Sequence, residues 1–351
     1  MNVLLFQFFF IVVGGVIIYN SPIKKRQKDT LFVGVAFVVM WYIHSMVDPS
    51  SLPDLPIYKE VFESIGVTEW KHIPNHWAHI NMELGYLYFN KLIYLVITSF
   101  TVFLWIFSFL MLSFYVYTIK NYSPYIVLSV LLLLLIPYNQ SLFVIRQHMA
   151  VAIYFSTIPL ILNRKLIPFL FVAVVAFFIH RSSIVFVPIY FLLAFDGKRL
   201  VYALFTSIIV IYLLWQMVLS FSVLSFDYEW FAEKSERSTN LTTLIQSVLL
   251  YIFYIYTLRK EIFVNKINKL MFCILSLSVF TNFMSLGFNM GRITIYFNVF
   301  NILAIPITLT YIKTKFIRNV IGASIILLFF IQMMYGGNHQ YVESMQLLSL
   351  F

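Results

Sequence analysis

The stretch SLFVIRQHMAVAIYFSTIPLIL, residues 141–162, decides the class of fold. It is long enough to cross a bilayer as one helix, yet Arg146, Gln147 and His148 stand in its first third. An arginine at the centre of a membrane span costs about 2.5–3.5 kcal/mol on insertion scales, and less near the edge. The stretch therefore predicts a membrane helix whose first third faces either lipid headgroups or a wet cavity.

The composition of the whole chain also indicates an integral membrane protein. Of its 351 residues, 61% are hydrophobic and only 11% are charged. No soluble domain buries so large an apolar share, and the apolar runs are continuous rather than alternating, which favours helices over a barrel. We predict an all-α polytopic membrane protein, one integral membrane domain over residues 1–351, with about twelve transmembrane helices (range roughly 10–14). The spans are expected at 2–19, 31–47, 92–118, 125–138, 142–162, 166–180, 183–195, 200–221, 242–258, 270–288, 293–312 and 320–335.

Basic residues are unevenly distributed over the predicted loops. One set of alternate loops holds 16 of the 24 Lys and Arg residues but three of the 14 acidic ones. The positive-inside rule predicts that this set is cytoplasmic, so that both termini and two longer segments, 48–91 and 222–241, lie outside. The net charge of +10 is then a topology signal and an attraction to anionic membrane lipid, and does not indicate nucleic-acid binding.

The same topology collects polar residues at the outer side of the membrane. Arg146 lies about one turn inside its span, Arg292 opens the eleventh span, and Arg181 follows His180 at the tip of a hairpin. Arginine binds phosphate through a planar, bidentate fork, so these residues predict an anion site. The alternative is that they anchor their helices in the lipid headgroups. Tyr296 follows Arg292 by one turn, on the same helix face.

Candidates for acid–base and sugar-binding roles accompany these arginines. We expect His180 or Glu83 to act as the base or to orient the acceptor, and the alternative for His180 is a satisfied interfacial histidine. Gln147 and His148 adjoin Arg146 and are candidate substrate-binding residues, as is Arg181. The outer segments supply three side chains suited to sugar hydroxyls: Asp54, Tyr58 and Asp227.

A histidine group in the first outer segment is weak support for a metal site. His72, His76 and His79 have helical spacing, but Pro74 interrupts the helix and no HExxH motif accompanies them. The chain has one cysteine, Cys273, which excludes internal disulfides and multi-cysteine metal sites. We expect no metal and no cofactor.

Five segments, in chain order, resemble the EpsG-type branch of the Wzy family of bacterial O-antigen and exopolysaccharide polymerases. They are DLPIY (54–58), MELGYLYFNKLI (82–93), IRQHMAVAIYF (145–155), FFIHRSSIVFVPIYFLL (177–193) and GRITIYFNVFNILAIP (291–306). Together they extend over nearly the whole chain. Arg181 departs from the pattern, which has a small or variable residue at that position.

The resemblance implies a membrane glycosyltransferase of GT-C-like architecture whose outer loops form a vestibule. Such polymerases act at the periplasmic face of the bacterial inner (cytoplasmic) membrane. They transfer a glycan from undecaprenyl pyrophosphate onto the non-reducing end of another lipid-linked repeat unit. The implied partners are this lipid-linked oligosaccharide, membrane lipid and a chain-length regulator protein. In this chain, Arg146 and Arg292 would bind the donor pyrophosphate.

Three other functions stay open from the sequence alone. A flippase for lipid-linked oligosaccharide would need a cavity that opens to both sides, and the inner half of this chain has few polar groups. An O-antigen ligase would use almost identical chemistry. A membrane acyltransferase would need an inward-facing donor site, and no histidine is expected on the inner side.

Overall fold

The computed structural model describes residues 3–76, 82–223, 241–286, 291–335 and 345–348. Within these ranges the chain is helical, with one isolated bridge and no strand. The helical segments of ten or more residues in these ranges are α1 (Val3–Asn20), α2 (Lys25–Ser45), α3 (Leu55–Val67), α4 (Leu84–Tyr94), α5 (Phe100–Tyr122), α6 (Ile126–Ser141), α7 (Ile145–Leu162), α8 (Leu166–Ile179), α9 (Arg181–Leu192), α10 (Gly197–Val223), α11 (Leu241–Ile262), α12 (Lys266–Met284), α13 (Gly291–Thr310) and α14 (Lys315–Tyr335).

The predicted fold class, an all-α polytopic membrane protein, is confirmed. Among the described residues, eight helices are long and apolar enough to cross a membrane: α1, α5, α7, α10, α11, α12, α13 and α14. Three further apolar helices, α6, α8 and α9, are shorter, and α2 begins with a basic turn. Each predicted span coincides with one of these twelve helices. The number that crosses the membrane stays a prediction.

The third predicted span, 92–118, begins later than expected, because residues 84–94 form the separate helix α4. This helix packs on α3 in the first predicted outer segment. Lys91 Nζ donates a hydrogen bond to the carbonyl oxygen of Gly66 (2.7 Å), and the rings of Phe62 and Tyr94 pack edge to face. Lys91 and its neighbour Asn90 are both buried against protein. A membrane span that faced lipid would not tolerate these two polar side chains there.

Helices α7 and α13 occupy the centre of the bundle. Among the eight long helices they are the most deeply buried, whereas α10, α11 and α14 are the most peripheral. The side chain of Gln147, in the first turn of α7, donates a hydrogen bond to the main-chain oxygen of Arg292, in the first turn of α13. The two central helices therefore begin side by side, which places Arg146 and Arg292 at the same end of the core.

The described C-terminal residues, 345–348, return to this end of the bundle. The amide of Asp48 donates to the oxygen of Gln346 (2.8 Å), and the amide of Leu348 donates to the oxygen of Met46 (2.7 Å). Residues 46–48 directly follow α2 and lead into the first predicted outer segment. The C-terminal segment and that predicted outer segment therefore share one side of the bundle, and whether this side faces outward stays a prediction.

Candidate active site

Glu83 is the centre of a polar cluster at the end of the bundle where α7 and α13 begin. It precedes α4, and its side chain is only 7% exposed. One carboxylate oxygen forms an ion pair with the guanidinium of Arg146. The other oxygen accepts a hydrogen bond from the main-chain N–H of Arg181 (3.0 Å) and lies 3.1 Å from Nδ1 of His180. Three distant parts of the chain thus meet at one carboxylate.

Gly85 makes this meeting possible, because α4 approaches the last turn of α8 very closely. A Cβ atom at Gly85 would lie 2.5 Å from Cβ of Phe178 and 2.6 Å from its main-chain oxygen. Phe178 stands two residues before His180. The missing side chain at Gly85 therefore allows Glu83 to reach His180 and Arg181.

Substituting Gly85→Ala should separate these groups. Overpacking against main-chain atoms costs about 1–3 kcal/mol, and the shift that relieves it moves Glu83 away from His180. We expect a lower thermal unfolding midpoint and the loss of the contact between Glu83 and His180. Gly34→Ala, in α2, is the control, because no atom lies within 4 Å of a Cβ there. A Gly85→Ala protein with unchanged midpoint and activity would contradict this packing argument.

The guanidinium of Arg146 is clamped by aromatic rings as well as by Glu83. Its central carbon lies 5.5 Å from the ring centroids of both Tyr58 and Tyr86, within the range of cation–π attraction. The Arg146 side chain is only 15% exposed. Tyr86 follows Glu83 by three residues, so one turn of α4 contributes both the carboxylate and a ring. Arg146 is thus held in one orientation by α3, α4 and their preceding loops.

Arg292 differs from Arg146 because it is solvent-exposed. Its charge interacts with Asp54 and Tyr58, and with Arg146 and Glu83. Asp54 and Tyr58 belong to the first predicted outer segment, and Tyr58 itself is buried. The exposed arginine therefore stands on the open side of the buried Glu83–Arg146 pair.

The remaining members of the cluster lie at the end of α8 and on α9 and α13. His180 ends α8 in an extended conformation, and its side chain is 14% exposed. Two residues later, the hydroxyl of Ser182 lies 3.2 Å from that of Tyr296, and both side chains are buried. The hydroxyl pair ties α9 to α13 directly beneath His180 and Arg181.

The electrostatic environment gives Glu83 and His180 different protonation states. Burial raises the pKa of the Glu83 carboxyl, but Arg146, His180 and the Arg181 N–H together lower this pKa by more, so it lies well below its usual range. Burial lowers the pKa of the His180 imidazole, and the carboxylate of Glu83 offsets this only in part. At neutral pH the site therefore combines an ionised carboxylate with a neutral imidazole.

The structure brings most of the sequence-predicted site residues together. The converging residues are Asp54, Tyr58, Glu83, Arg146, Gln147, His180, Arg181, Arg292 and Tyr296. Their individual roles stay predictions. Tyr86 and Ser182 were missed as site residues, although both stand in the segments that carry the family resemblance. Tyr86 is three residues from Glu83, and Ser182 is two residues from His180. This closeness in sequence to a candidate residue was the signal that could have identified them.

His148 lies in a different environment from the other candidates. Its side chain is completely buried, and among the described residues neither ring nitrogen has a hydrogen-bond partner. It interacts electrostatically with His44 and His180. His44 is buried as well, with Nε2 3.0 Å from the oxygen of Ser141. His148 therefore lies beneath the cluster, and a direct contact with substrate stays a prediction.

The remaining predicted positions are only partly described. Asp227 and His79 lie outside the described residues, as do residues 224–240 of the second predicted outer segment, and the side chain of His76 is not described either. His72 is exposed and lies 3.9 Å from Glu69. Over the described ranges, no group of three or more His, Cys, Asp or Glu side chains is arranged to hold a metal ion.

Comparison with known families identifies the family to which these segments belong. The model of the EpsG family matches residues 30–348, which include every member of the cluster. The chain belongs to the EpsG family. Membership in the EpsG family suggests a polysaccharide polymerase-type function. No curated protein and no solved structure matches the chain significantly.

Proposed function

We propose that this protein is a membrane glycosyltransferase that polymerises a surface polysaccharide from polyprenyl-pyrophosphate-linked repeat units. One observation supports this most directly: Glu83 contacts Arg146, His180 and the Arg181 N–H at once, beside the exposed Arg292. Glycosyl transfer from a pyrophosphate needs a cationic site for the leaving group and a base for the acceptor. This cluster supplies both within one site.

Arg292 is the proposed first contact for the donor pyrophosphate. It is exposed, whereas Arg146 is already paired with Glu83 and enclosed by two tyrosines. The guanidinium groups of Arg146 and Arg292 and the main-chain N–H of Arg181 surround Glu83, so the site offers both charge and hydrogen-bond donors to a pyrophosphate. A bidentate arginine contact stabilises the negative charge that develops on the departing pyrophosphate. Arginine then supplies the stabilisation that a divalent metal provides in other transferases.

His180 is the better of the two candidate bases. In the proposed step, an acceptor hydroxyl oxygen forms a bond to the anomeric carbon of the donor while the bond from that carbon to the pyrophosphate oxygen breaks. The hydroxyl proton passes to His180, and the bond electrons leave with the lipid pyrophosphate. Glu83, 3.1 Å from Nδ1, stabilises the imidazolium that forms. Glu83 itself is a weak base, because its pKa is held low.

The proposed orientation follows the distribution of basic residues. The cluster lies at the end of the bundle opposite the loops rich in Lys and Arg, which predicts an active site on the periplasmic side of the inner membrane. Both termini are then outside. A site at the periplasmic end of the bundle can contact both a lipid-linked pyrophosphate at the membrane surface and the sugars that extend beyond it.

The decisive experiment uses the purified full-length protein and one defined undecaprenyl-pyrophosphate-linked repeat unit in detergent or vesicles. The expected result is a ladder of lipid-linked products, with release of undecaprenyl pyrophosphate. A ligase would transfer the glycan only when lipid A or another final acceptor is added. A flippase would move the substrate across vesicles without forming any new bond. Either of these two results would overturn the proposal.

Substituting His180→Gln should reduce kcat/KM for polymerisation about 10²- to 10⁴-fold, the usual contribution of a general base. The pKa of His180 lies below its ordinary value of about 6.5, so the wild-type protein should lose activity only as the pH falls below that value. The variant should have no such acid limb in its pH–rate profile.

The control for this test is His72→Gln, because His72 is exposed and lies outside the cluster. Its pH–rate profile should match the wild type. A His180→Gln protein that keeps the wild-type acid limb, at whatever rate, would show that another group accepts the proton.

A further inference from the structure

A groove runs between α9 and α10 on the periphery of the bundle. It encloses about 630 Å³ and is lined mainly by apolar side chains, among them Ile184, Phe191, Tyr202 and Leu214. Phe191 and Tyr202 are exposed at its rim. Because α10 is one of the least buried of the long helices, the groove opens toward the membrane.

The groove is amphipathic along its length. At the end near Gly197 it adjoins a second cavity of about 530 Å³, and Phe195 and Arg199 line both. Lys198 and Asp196 also line this second cavity. Gly197 has a φ of +53°, a left-handed conformation that favours glycine, and the turn places Lys198 and Arg199 in the first turn of α10.

The polar end carries a net positive charge. Asp196, the one acidic residue lining it, pairs with the buried Lys269 of α12. Lys198 and Arg199 are then the groups whose charge is not offset within the cavity. The start of a long helix adds the partial positive charge of its free amides, which also attracts anions.

We propose that this groove binds one anionic glycerophospholipid. Its phosphate lies against Lys198 and Arg199, and an acyl chain lies along the apolar part toward Ile184. The charge of the polar end and its place at the start of a membrane helix select this occupant. The polyprenyl donor would place its pyrophosphate near Glu83, at the other end of α9, where this groove is apolar. The exclusion of the polyprenyl donor rests on the function proposed above, whereas the contacts to the phosphate and the acyl chain do not.

Native mass spectrometry of the intact purified protein can test the site with phosphatidylglycerol and phosphatidylcholine of identical chains. The wild type should retain one phosphatidylglycerol in preference to phosphatidylcholine. Lys198→Gln combined with Arg199→Gln should weaken this retention about 10- to 30-fold, since each basic residue near a membrane surface contributes about a factor of five. The matched control is Lys313→Gln with Lys315→Gln, which removes two exposed charges near the start of another long helix, α14.

A second variant tests the apolar part without changing charge. Ala203→Trp should fill the groove and displace the lipid, whereas Ala323→Trp, on the exposed face of α14, should not. Equal retention of the two phospholipids by the wild type would overturn the proposal. So would unchanged retention of phosphatidylglycerol by the double glutamine variant. If Ala203→Trp lost the lipid while the double glutamine variant kept it, the groove would bind an apolar chain, such as a polyprenyl tail, without recognising a headgroup. That result would also overturn the proposal.

Discussion

Glu83→Gln is expected to abolish polymer formation and to destabilise the protein at the same time. The substitution removes one partner of an ion pair whose two side chains are only 7% and 15% exposed. It leaves the guanidinium of Arg146 largely buried without its counter-ion. Breaking a buried pair in this way costs about 3–5 kcal/mol, and the partial exposure of Arg146 favours the lower end. The imidazolium that His180 forms during the reaction would also lose its stabilising charge.

A second substitution separates the two effects. In Glu83→Gln with Arg146→Met, no unpaired charge is left, so the thermal unfolding midpoint should recover most of its loss while activity stays absent. The control is Glu63→Gln, which removes an exposed carboxylate that lies 4.0 Å from Lys59. Midpoints and product ladders are measured on the same preparations. Activity in the double variant, or a normal midpoint in Glu83→Gln, would exclude Glu83 as the centre of the site.

Arg146→Lys and Arg292→Lys should both block polymerisation, but only the first should affect stability. A lysine keeps the charge and loses the planar fork, which costs about 2–4 kcal/mol of transition-state stabilisation, or roughly 30- to 1,000-fold in rate. At Arg146 the lysine also cannot fill the space between Tyr58 and Tyr86 while holding Glu83. Arg292 is exposed, and a lysine at this position keeps the positive charge that interacts with Asp54.

This pair of variants distinguishes a positioning role from phosphate binding. Arg292→Lys should raise the KM for the lipid-linked donor and leave the unfolding midpoint unchanged. Arg146→Lys should lower the midpoint and shift the acid limb of the pH–rate profile, because Glu83 and His180 lose their fixed geometry. Arg26→Lys, exposed at the start of α2, is the control. Near-normal product ladders from Arg292→Lys would indicate that Arg292 anchors its helix in the lipid headgroups and does not bind the donor.

The sequence pattern predicted the secondary structure well where local hydropathy decides it. A membrane-spanning segment must satisfy its own backbone hydrogen bonds, so a long apolar run has few alternatives to a helix. Residues 84–94 show the limit of that argument. Their apolar side chains resemble the start of a span, and only the burial of Asn90 and Lys91 against protein makes α4 a separate helix.

Residue type and the predicted side of the membrane identified the candidate site residues. Neither property predicted which of these residues contact each other. The phosphate-binding role of Arg146 stays a prediction, but no local pattern indicated that Arg146 also pairs with Glu83, 63 positions earlier. His148 was grouped with Arg146 because the two residues are near neighbours on one helix. Two residues along a helix turn the side chain by about 200°, and His148 consequently lies completely buried beneath the cluster.

By itself, the sequence determined a helical membrane protein. It also predicted the sidedness of the loops and the members of one polar set on the predicted outer side. These follow from transfer free energies, which each segment has independently of its neighbours. The tertiary structure alone decided which members of that set touch. Glu83 reaches Arg146, His180 and Arg181 because α4 approaches α8 at Gly85, a contact between residues 93 positions apart. Such an approach depends on the packing of all surrounding helices, and no local pattern encodes it.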